Sequence, residues 1–359
     1  MKALRGTALF CGIGNGVKEM EAHLAQAAKA GINAVFSSLQ LPESNKEDLL
    51  RDFPKMAQIA HRYGMLVDAD ISERTANLFG LDLHDFAAFK QMGVDIARMD
   101  YGYSDEALVK ASFNEQGIII ELNAVTVTEE WLQKLCDMGI NKEQIHFCHN
   151  YYPMRYTGMR VEEVIKANEV IHKYGFRVGG FVPSQTHHRI GCSIGLPTLE
   201  RHREMGIFTA VQEMFLYGMD DVFFGDDYAS YEEMKTLVEA DESVVTFRMR
   251  PFVEGKLTEW LMGRVLRQTQ FGLDDLVRSR YDVCSYPGDP GDPLSCRRYP
   301  GDVTVCKTGL LRYSGEIELV RRPLPKDDLI GLIGRIVDED LPLLESLQTD
   351  KPFRLVRDQ

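Results

Sequence analysis

The chain has 359 residues, of which 44% are hydrophobic and 26% charged; this is a globular composition and excludes a disordered or collagen-like chain. Its length predicts two domains. Lys plus Arg total 41 against 54 Asp plus Glu, a formal net charge of -13 that argues against nucleic acid or an anionic membrane as a partner.

From residue 1 to about 240, short apolar runs alternate with amphipathic ones. The apolar runs predict strands over Thr7–Cys11, Ala34–Leu39, Leu66–Ile71, Ile96–Asp100, Ile118–Asn123, Ile145–His149, Arg177–Val182 and Val222–Gly225. The amphipathic runs predict helices over Val17–Ala30, Lys46–Tyr63, Leu83–Met92, Glu129–Met138, Val161–Tyr174 and Tyr231–Ala240. Gly31, Gly64, Gly93, Gly139 and Gly175 follow helical runs, where a left-handed residue closes a helix. Strands of near-continuous Val, Ile and Phe belong to a parallel sheet covered on both faces. Eight of them in this length predict an α/β fold, a (β/α)8 barrel. The rival is an open doubly wound sheet, whose phosphate loop Gly12-Ile13-Gly14-Asn15-Gly16 only half resembles.

From residue 241 to 359 the rhythm changes. Val244–Arg250 and Gly315–Val320 read as strands, and Tyr286-Pro287-Gly288-Asp289-Pro290-Gly291-Asp292-Pro293 is a dense run of turn formers. Helical patterns remain over Thr258–Gln268 and near Asp340–Leu347. A small β-rich second domain is expected. The 7 cysteines have no CxxC spacing and read as reduced thiols. No run of roughly 18 apolar residues marks a membrane span, and Met1–Thr7 reads into a strand, not a signal peptide.

In such a barrel the loops after the strands build the active site. The strand ends deliver Glu43, Asp70, Asp100, Glu121, Glu200 and Asp226, mixed with Asn123, His149, Asn150, Tyr152, Arg155 and Arg203. Carboxylates among aromatic and amide groups suit glycoside hydrolysis, which needs one acid to protonate the leaving oxygen and a second as base or nucleophile. Asp100 and Glu43 are the first catalytic pair, with Asp226 third. Asp100 follows Arg98 by two, so both share a strand face, and Glu43 follows a proline in a loop. Asn123, Asn150 and Tyr152 are expected on hydroxyl or acetamido groups. Asp70, His149 and Glu200 are further substrate-binding candidates, and Arg155 and Arg203 are candidates for a phosphate, as are Arg297, Arg298 and Lys307. Blander roles stand beside these: Asp226 as a helix cap, Glu121 as a barrel layer residue paired to Arg98, Asp68 or Asp70 in an internal salt bridge, His149 as a satisfied core group. No metal and no cofactor is expected, since adjacent His187 and His188 point to opposite faces of an extended chain and chelate poorly.

Taken in order, several segments resemble the bacterial 6-phospho-N-acetylmuramidase family. They are Phe36-Ser37-Ser38-Leu39 with Pro42-Glu43, Arg98-Met99-Asp100-Tyr101-Gly102, Leu122-Asn123-Ala124 and Cys148-His149-Asn150-Tyr151-Tyr152-Pro153. Tyr156-Thr157-Gly158, Gly195-Leu196-Pro197-Thr198-Leu199-Glu200-Arg201-His202-Arg203 and Asp220-Asp221-Val222-Phe223-Phe224-Gly225-Asp226 complete the set. The resemblance implies a TIM barrel followed by a small cyclophilin-like β-barrel domain. It further implies cleavage of the β-1,4 link of N-acetylmuramic acid 6-phosphate–N-acetylglucosamine, a cytoplasmic place in peptidoglycan recycling, and a small phosphorylated disaccharide as partner, with a homo-oligomer left open. The start of the chain, the loop Pro183–Arg189 and the Cys284–Arg298 region depart from the family's pattern, so a paralogue acting on another phosphorylated glycoside is the alternative. A phosphosugar aldolase would need a strand-end lysine for a Schiff base, and none is found. A non-enzymatic carbohydrate binder or regulator would not need so many acids at one rim.

Overall fold

A computed structural model describes residues 2–14, 16–82, 84–99, 103–269, 271–280, 284–349 and 351–358. The chain divides into two compact units, Met1–Ala240 and Asp241–Gln359.

In the first unit eight parallel strands close into a barrel in chain order: β1 (Arg5–Ala8), β2 (Ala34–Ser38), β3 (Leu66–Ile71), β4 (Ile96–Met99), β5 (Ile119–Asn123), β6 (Ile145–Cys148), β7 (Val178–Val182) and β8 (Asp221–Asp227). Helices follow each strand: α1 (Val17–Ala30), α2 (Lys46–Arg62), α3 (Glu73–Phe79) with α4 (Phe86–Met92), α5 (Asp105–Ala111), α6 (Glu129–Asp137), α7 (Val161–Lys173), α8 (Ile207–Leu216) and α9 (Tyr231–Glu239). The closed barrel replaces the doubly wound alternative. All five expected glycine stops have a positive φ, between 75° and 99°, which a side chain would oppose. The strand expected over Ile96–Asp100 is seen to Met99; Asp100 and the start of the expected Leu83–Met92 helix, Leu83, lie outside the described residues.

Helices α3, α5 and α8 went unpredicted. The first two have only 7 residues each, too few for a clear periodicity. α8 is buried nearly all round, from Thr209 to Leu216, so it shows no polar stripe.

The barrel interior is filled from the strands' inner faces. Phe10, Phe36, Phe181 and Phe223 are buried there, and Tyr151 packs against them. Their rings meet edge-on or tilted, with centroids 5.2 Å apart for Tyr151–Phe181 and 5.3 Å for Phe36–Phe181. Each such buried ring contributes about 2–3 kcal/mol by leaving water. The core is therefore a plug, and ligands must be met above it.

The second unit carries β9 (Val245–Pro251), β10 (Leu276–Arg278), β11 (Asp302–Cys306), β12 (Ile317–Val320), β13 (Ile330–Ile336) and β14 (Phe353–Arg357). They form one six-stranded curled sheet, a half-barrel, in the order β10-β12-β11-β13-β9-β14. β14 and β9 pair in parallel, and the other strand pairs among the described residues are antiparallel. The helix expected over Thr258–Gln268 is instead the short α10 (Lys256–Leu261). Beyond it Leu266 bridges to Phe353 and Gln268 to Ser279, so sheet pairing overrides the helical pattern. A last helix, α11 (Leu341–Ser346), precedes β14.

Candidate active site

One register row organises the charged groups of the barrel. Ser38, Asp70, Arg98, Glu121 and His146 are successive Cα partners across β2 to β6. Barrel strands are tilted, so this row starts at the last residue of β2 and reaches the second residue of β6. It therefore descends from the strand-end mouth into the interior. Arg98 Nε lies 3.6 Å from Asp70, and its Nη1 lies 3.4 Å from Glu121. Arg98 Nη2 also donates to Asn150 Oδ1 at 2.5 Å. Deeper down, His146 lies 2.7 Å from Glu121 and 2.8 Å from Asp221, and Arg177 lies 2.7 Å from Asp221. Charge alternates along the whole chain. Burial alone would lower the His146 pKa, but its bonds to Asp221 and Glu121 outweigh that and hold it near 10. Asp221 is correspondingly driven down to about 2 against the effect of its burial, mainly by the His146 bond.

Asp68 lies one inward position below Asp70, fully buried, with no hydrogen-bond partner for either carboxylate oxygen. Burial and the nearby Glu121 push its pKa well above the usual carboxylate range. The internal salt bridge uses Asp70 rather than Asp68, and Glu121 does pair with Arg98.

Of the residues expected at the site, Asp70, Asn150 and Arg98 are brought together at the mouth. Asn123 ends β5 and accepts the Val125 N–H at 2.9 Å, capping a short turn. Tyr152 is partly buried, with its backbone held by Pro197 and Arg203. Asp100 lies outside the described residues.

Other expectations need correction. His149 turns outward, where Nε2 donates to Asn168 Oδ1 of α7 at 2.8 Å. It is completely buried, and burial lowers its pKa to about 4, as for a satisfied neutral core histidine. Asp226 is occupied by the backbone: it accepts N–H bonds from Ser184, Leu196 and Arg189 at 3.0, 3.0 and 3.2 Å. It organises the loop after β7. Glu200 and Arg203 form a clasp of 2.6 and 2.8 Å. Glu200 accepts the N–H groups of Tyr156 and Gly158, while Arg203 donates to the carbonyls of Tyr152, Met154 and Gly195. They tie the loops after β6 and β7 to each other, and leave Arg203 no donors for a phosphate. Arg155 is exposed and paired to Glu204 at 2.6 Å. In the second unit Arg298 pairs with Glu318 and Lys307 with Asp292. The Glu43 side chain is 46% exposed and lies 3.4 Å from Arg189.

Two residues missed in the sequence stand out. The first is Arg189. Asp226 and Glu233 together hold the backbone of residues 184–196; Glu233 accepts from Ser184, Gln185 and Thr186. The segment lies so close on β8 that a Cβ on Gly225 would sit 2.1 Å from the Leu196 carbonyl oxygen. Held this way, Arg189 is only 7% exposed, with its guanidinium 5.3 Å from the Phe10 ring and 5.8 Å from Tyr151. Its Nη1 donates to the Tyr151 hydroxyl at 3.3 Å, and its buried Nε has no acceptor. A buried arginine on an aromatic floor with an unused donor is a ready anion partner.

The second is Asp227, the last residue of β8, buried and with Oδ2 unpartnered. Burial first, and the adjacent Asp226 carboxylate next, raise its pKa to about 7, against an opposing pull from Arg189. The strand stops there because Tyr228 takes a left-handed conformation, φ 55°, with its ring 5.1 Å from His23 of α1. The Asp-Asp pair at a strand end was the available signal. Among the described residues, no three His, Cys, Asp or Glu side chains are grouped to hold a metal, and no helix is long and apolar enough to cross a membrane.

A (β/α)8 barrel that gathers carboxylates, amides and a buried arginine at its strand-end mouth has the layout in which barrel enzymes build their active sites. The chain belongs to the 6-phospho-N-acetylmuramidase family: residues 5–239 match the family's N-terminal domain and residues 274–356 its C-terminal domain. Among curated proteins no sequence relative matches. Among solved structures, it is similar to an uncharacterized B. cereus protein, with 23% identity over 99% of this chain and 100% of that one and a TM-score of 0.85. It is also similar to a conserved Enterococcus faecalis protein of unknown function, with 26% identity over 99% and 97% of the two chains and a TM-score of 0.71.

Proposed function

We propose that this chain is a glycosidase that hydrolyses the β-1,4 bond between N-acetylmuramic acid 6-phosphate and N-acetylglucosamine, serving cytoplasmic recycling of cell-wall fragments. The family supports the reaction class. The observation that carries the mechanism is Asp227, a buried carboxyl at a strand end with a free oxygen and a pKa raised to about 7. Such a group keeps its proton up to about neutral pH and can give it to the departing glycosidic oxygen. A second carboxylate, acting as base or nucleophile, completes the reaction with one water. Asp100 is assigned that role from its place two residues after Arg98 in the sequence. If the substrate's acetamido group is the nucleophile, Asp100 orients it instead.

Arg189 is assigned to the 6-phosphate. Its charge is buried, its Nε is unused, and its link to Glu43 is long at 3.4 Å, so a dianion can displace that carboxylate. Arg98 holds Asn150 in place to meet a hydroxyl or acetamido group.

A second reading keeps the chemistry and changes the sugar. Arg189 comes from the Pro183–Arg189 loop, where the sequence departs from the family's pattern, so a different phosphorylated glycoside is the alternative. The test is hydrolysis of a chromogenic N-acetylmuramic acid 6-phosphate glycoside beside its unphosphorylated form, each with and without chelator. Turnover of the phosphorylated compound alone, insensitive to chelator, is expected. No turnover of either by folded protein would remove the substrate assignment. Unchanged turnover in Asp227→Asn would remove the assigned acid.

A further inference from the structure

The loop after β6 holds a feature that neither the acid nor the phosphate site uses. Tyr156 has a φ of 64°, a left-handed conformation that a bulky side chain resists. The loop is nonetheless rigidly made. Glu200 accepts the Tyr156 N–H at 2.9 Å and the Gly158 N–H at 2.8 Å, and Thr157 Oγ1 donates to the Met154 carbonyl at 2.7 Å. Gly158 packs so tightly that a Cβ there would sit 2.7 Å from the Glu200 nitrogen. Arg203 fixes the Tyr152 and Met154 carbonyls on the same loop. On this ordered loop the Tyr156 ring is 88% exposed, beside Met154 at 67%. A turn held in an unfavourable conformation by two loops gives its own fold nothing from that ring.

The geometry points to Tyr156 as the platform for the sugar on the leaving-group side of the scissile bond, with its ring stacked on the apolar face of that sugar. Three things favour a sugar. The loop leaves the strand-end face, where the catalytic groups of a barrel are gathered. An aromatic face offers a flat apolar surface with little rotamer freedom to lose. Arg155 of the same loop, exposed and paired to Glu204 of the loop after β7, supplies hydrogen-bonding groups for ring hydroxyls. This inference rests on the glycosidase reading and adds a residue that chooses the leaving group.

The test compares two substrates of N-acetylmuramic acid 6-phosphate: the disaccharide with N-acetylglucosamine, and the glycosyl fluoride, whose leaving group has no ring. Tyr156→Asn removes the aromatic face, and Asn accepts the left-handed conformation readily, so the turn is kept. The disaccharide-to-fluoride ratio of kcat/KM is expected to fall about five- to tenfold, mainly through KM for the disaccharide. Tyr156→Trp is expected to restore it. A ratio that does not move, or that Tyr156→Trp lowers as much as Tyr156→Asn, overturns the inference. Wild-type turnover of the fluoride but not the disaccharide overturns it while leaving a glycosidase. Turnover of neither overturns the glycosidase reading and this one with it.

Discussion

Asp226 and Asp227 are adjacent at the end of β8 and are provided for in opposite ways. Asp226 accepts three backbone N–H groups from the loop after β7, whereas Asp227 keeps one buried oxygen without a partner. The first carboxylate builds the loop that delivers Arg189. The second is left available, and the charge of its neighbour helps to keep it protonated.

Asp227→Asn is therefore expected to lower kcat/KM by about a hundred- to ten-thousand-fold while the protein stays folded. The wild-type rate should fall as pH rises through about 7, where Asp227 loses its proton. A pH–rate profile of both proteins checks this; a basic limb that survives in Asp227→Asn would assign the acid elsewhere.

Replacing Arg189 with Met keeps the stem that covers Phe10 and removes the charge. KM for the phosphorylated substrate should rise by about ten- to a hundredfold, with a smaller change for the unphosphorylated analogue. Steady-state kinetics on the pair of substrates decides it. Equal losses on both would place the phosphate elsewhere.

His146 is held between Glu121 and Asp221 with all three completely buried. His146→Leu removes the cation that the two buried carboxylates share, leaving Glu121 to Arg98 and Asp221 to Arg177, and should cost about 3–5 kcal/mol in urea unfolding. The folded pKa near 10 lies above the ordinary 6.5. The histidine's contribution is thus fully present below pH 6.5 and is lost as pH rises through 10. The wild type should lose stability over that range, and His146→Leu should lose less.

The Glu200–Arg203 clasp makes the reverse pH statement. The Arg203 bond holds Glu200 down at about 2, below its ordinary 4.5. Its contribution is present above pH 4.5 and is lost as pH falls through 2. Glu200→Gln should destabilise the fold by about 1–2 kcal/mol at pH 7. In thermal melts the gap from wild type should close between pH 5 and pH 2; a gap that persists at pH 2 would mean that the charge is not what the clasp uses.

Much of the fold was readable because burial on both faces leaves an unmistakable record. Leu66–Ile71 and Val17–Ala30 stand where their patterns put them. The Thr258–Gln268 stretch misled because its helical pattern is real but short-range, and pairing of Leu266 with Phe353 outweighs it. At the site, Asp70, Arg98 and Asn150 were found because a strand end is a position that the sequence marks. The Gly195–Arg203 motif was noticed for its residues but misread in its role. An ion pair between Glu200 and Arg203 looks the same in sequence whether it faces a ligand or two carbonyl-lined loops.

The sequence by itself determined the alternation of strands and helices, the helix stops, and the set of acids at the strand ends, since each follows from local periodicity and chain direction. Only the tertiary structure decided which of those acids are engaged. Strand tilt turned Asp70, Arg98, Glu121 and His146 into one descending row. Loop closure gave Asp226 its three donors and carried Arg189 into a buried place over Phe10. Protonation and availability depend on burial and on partners far along the chain, and neither is a property of a residue's own neighbourhood in sequence.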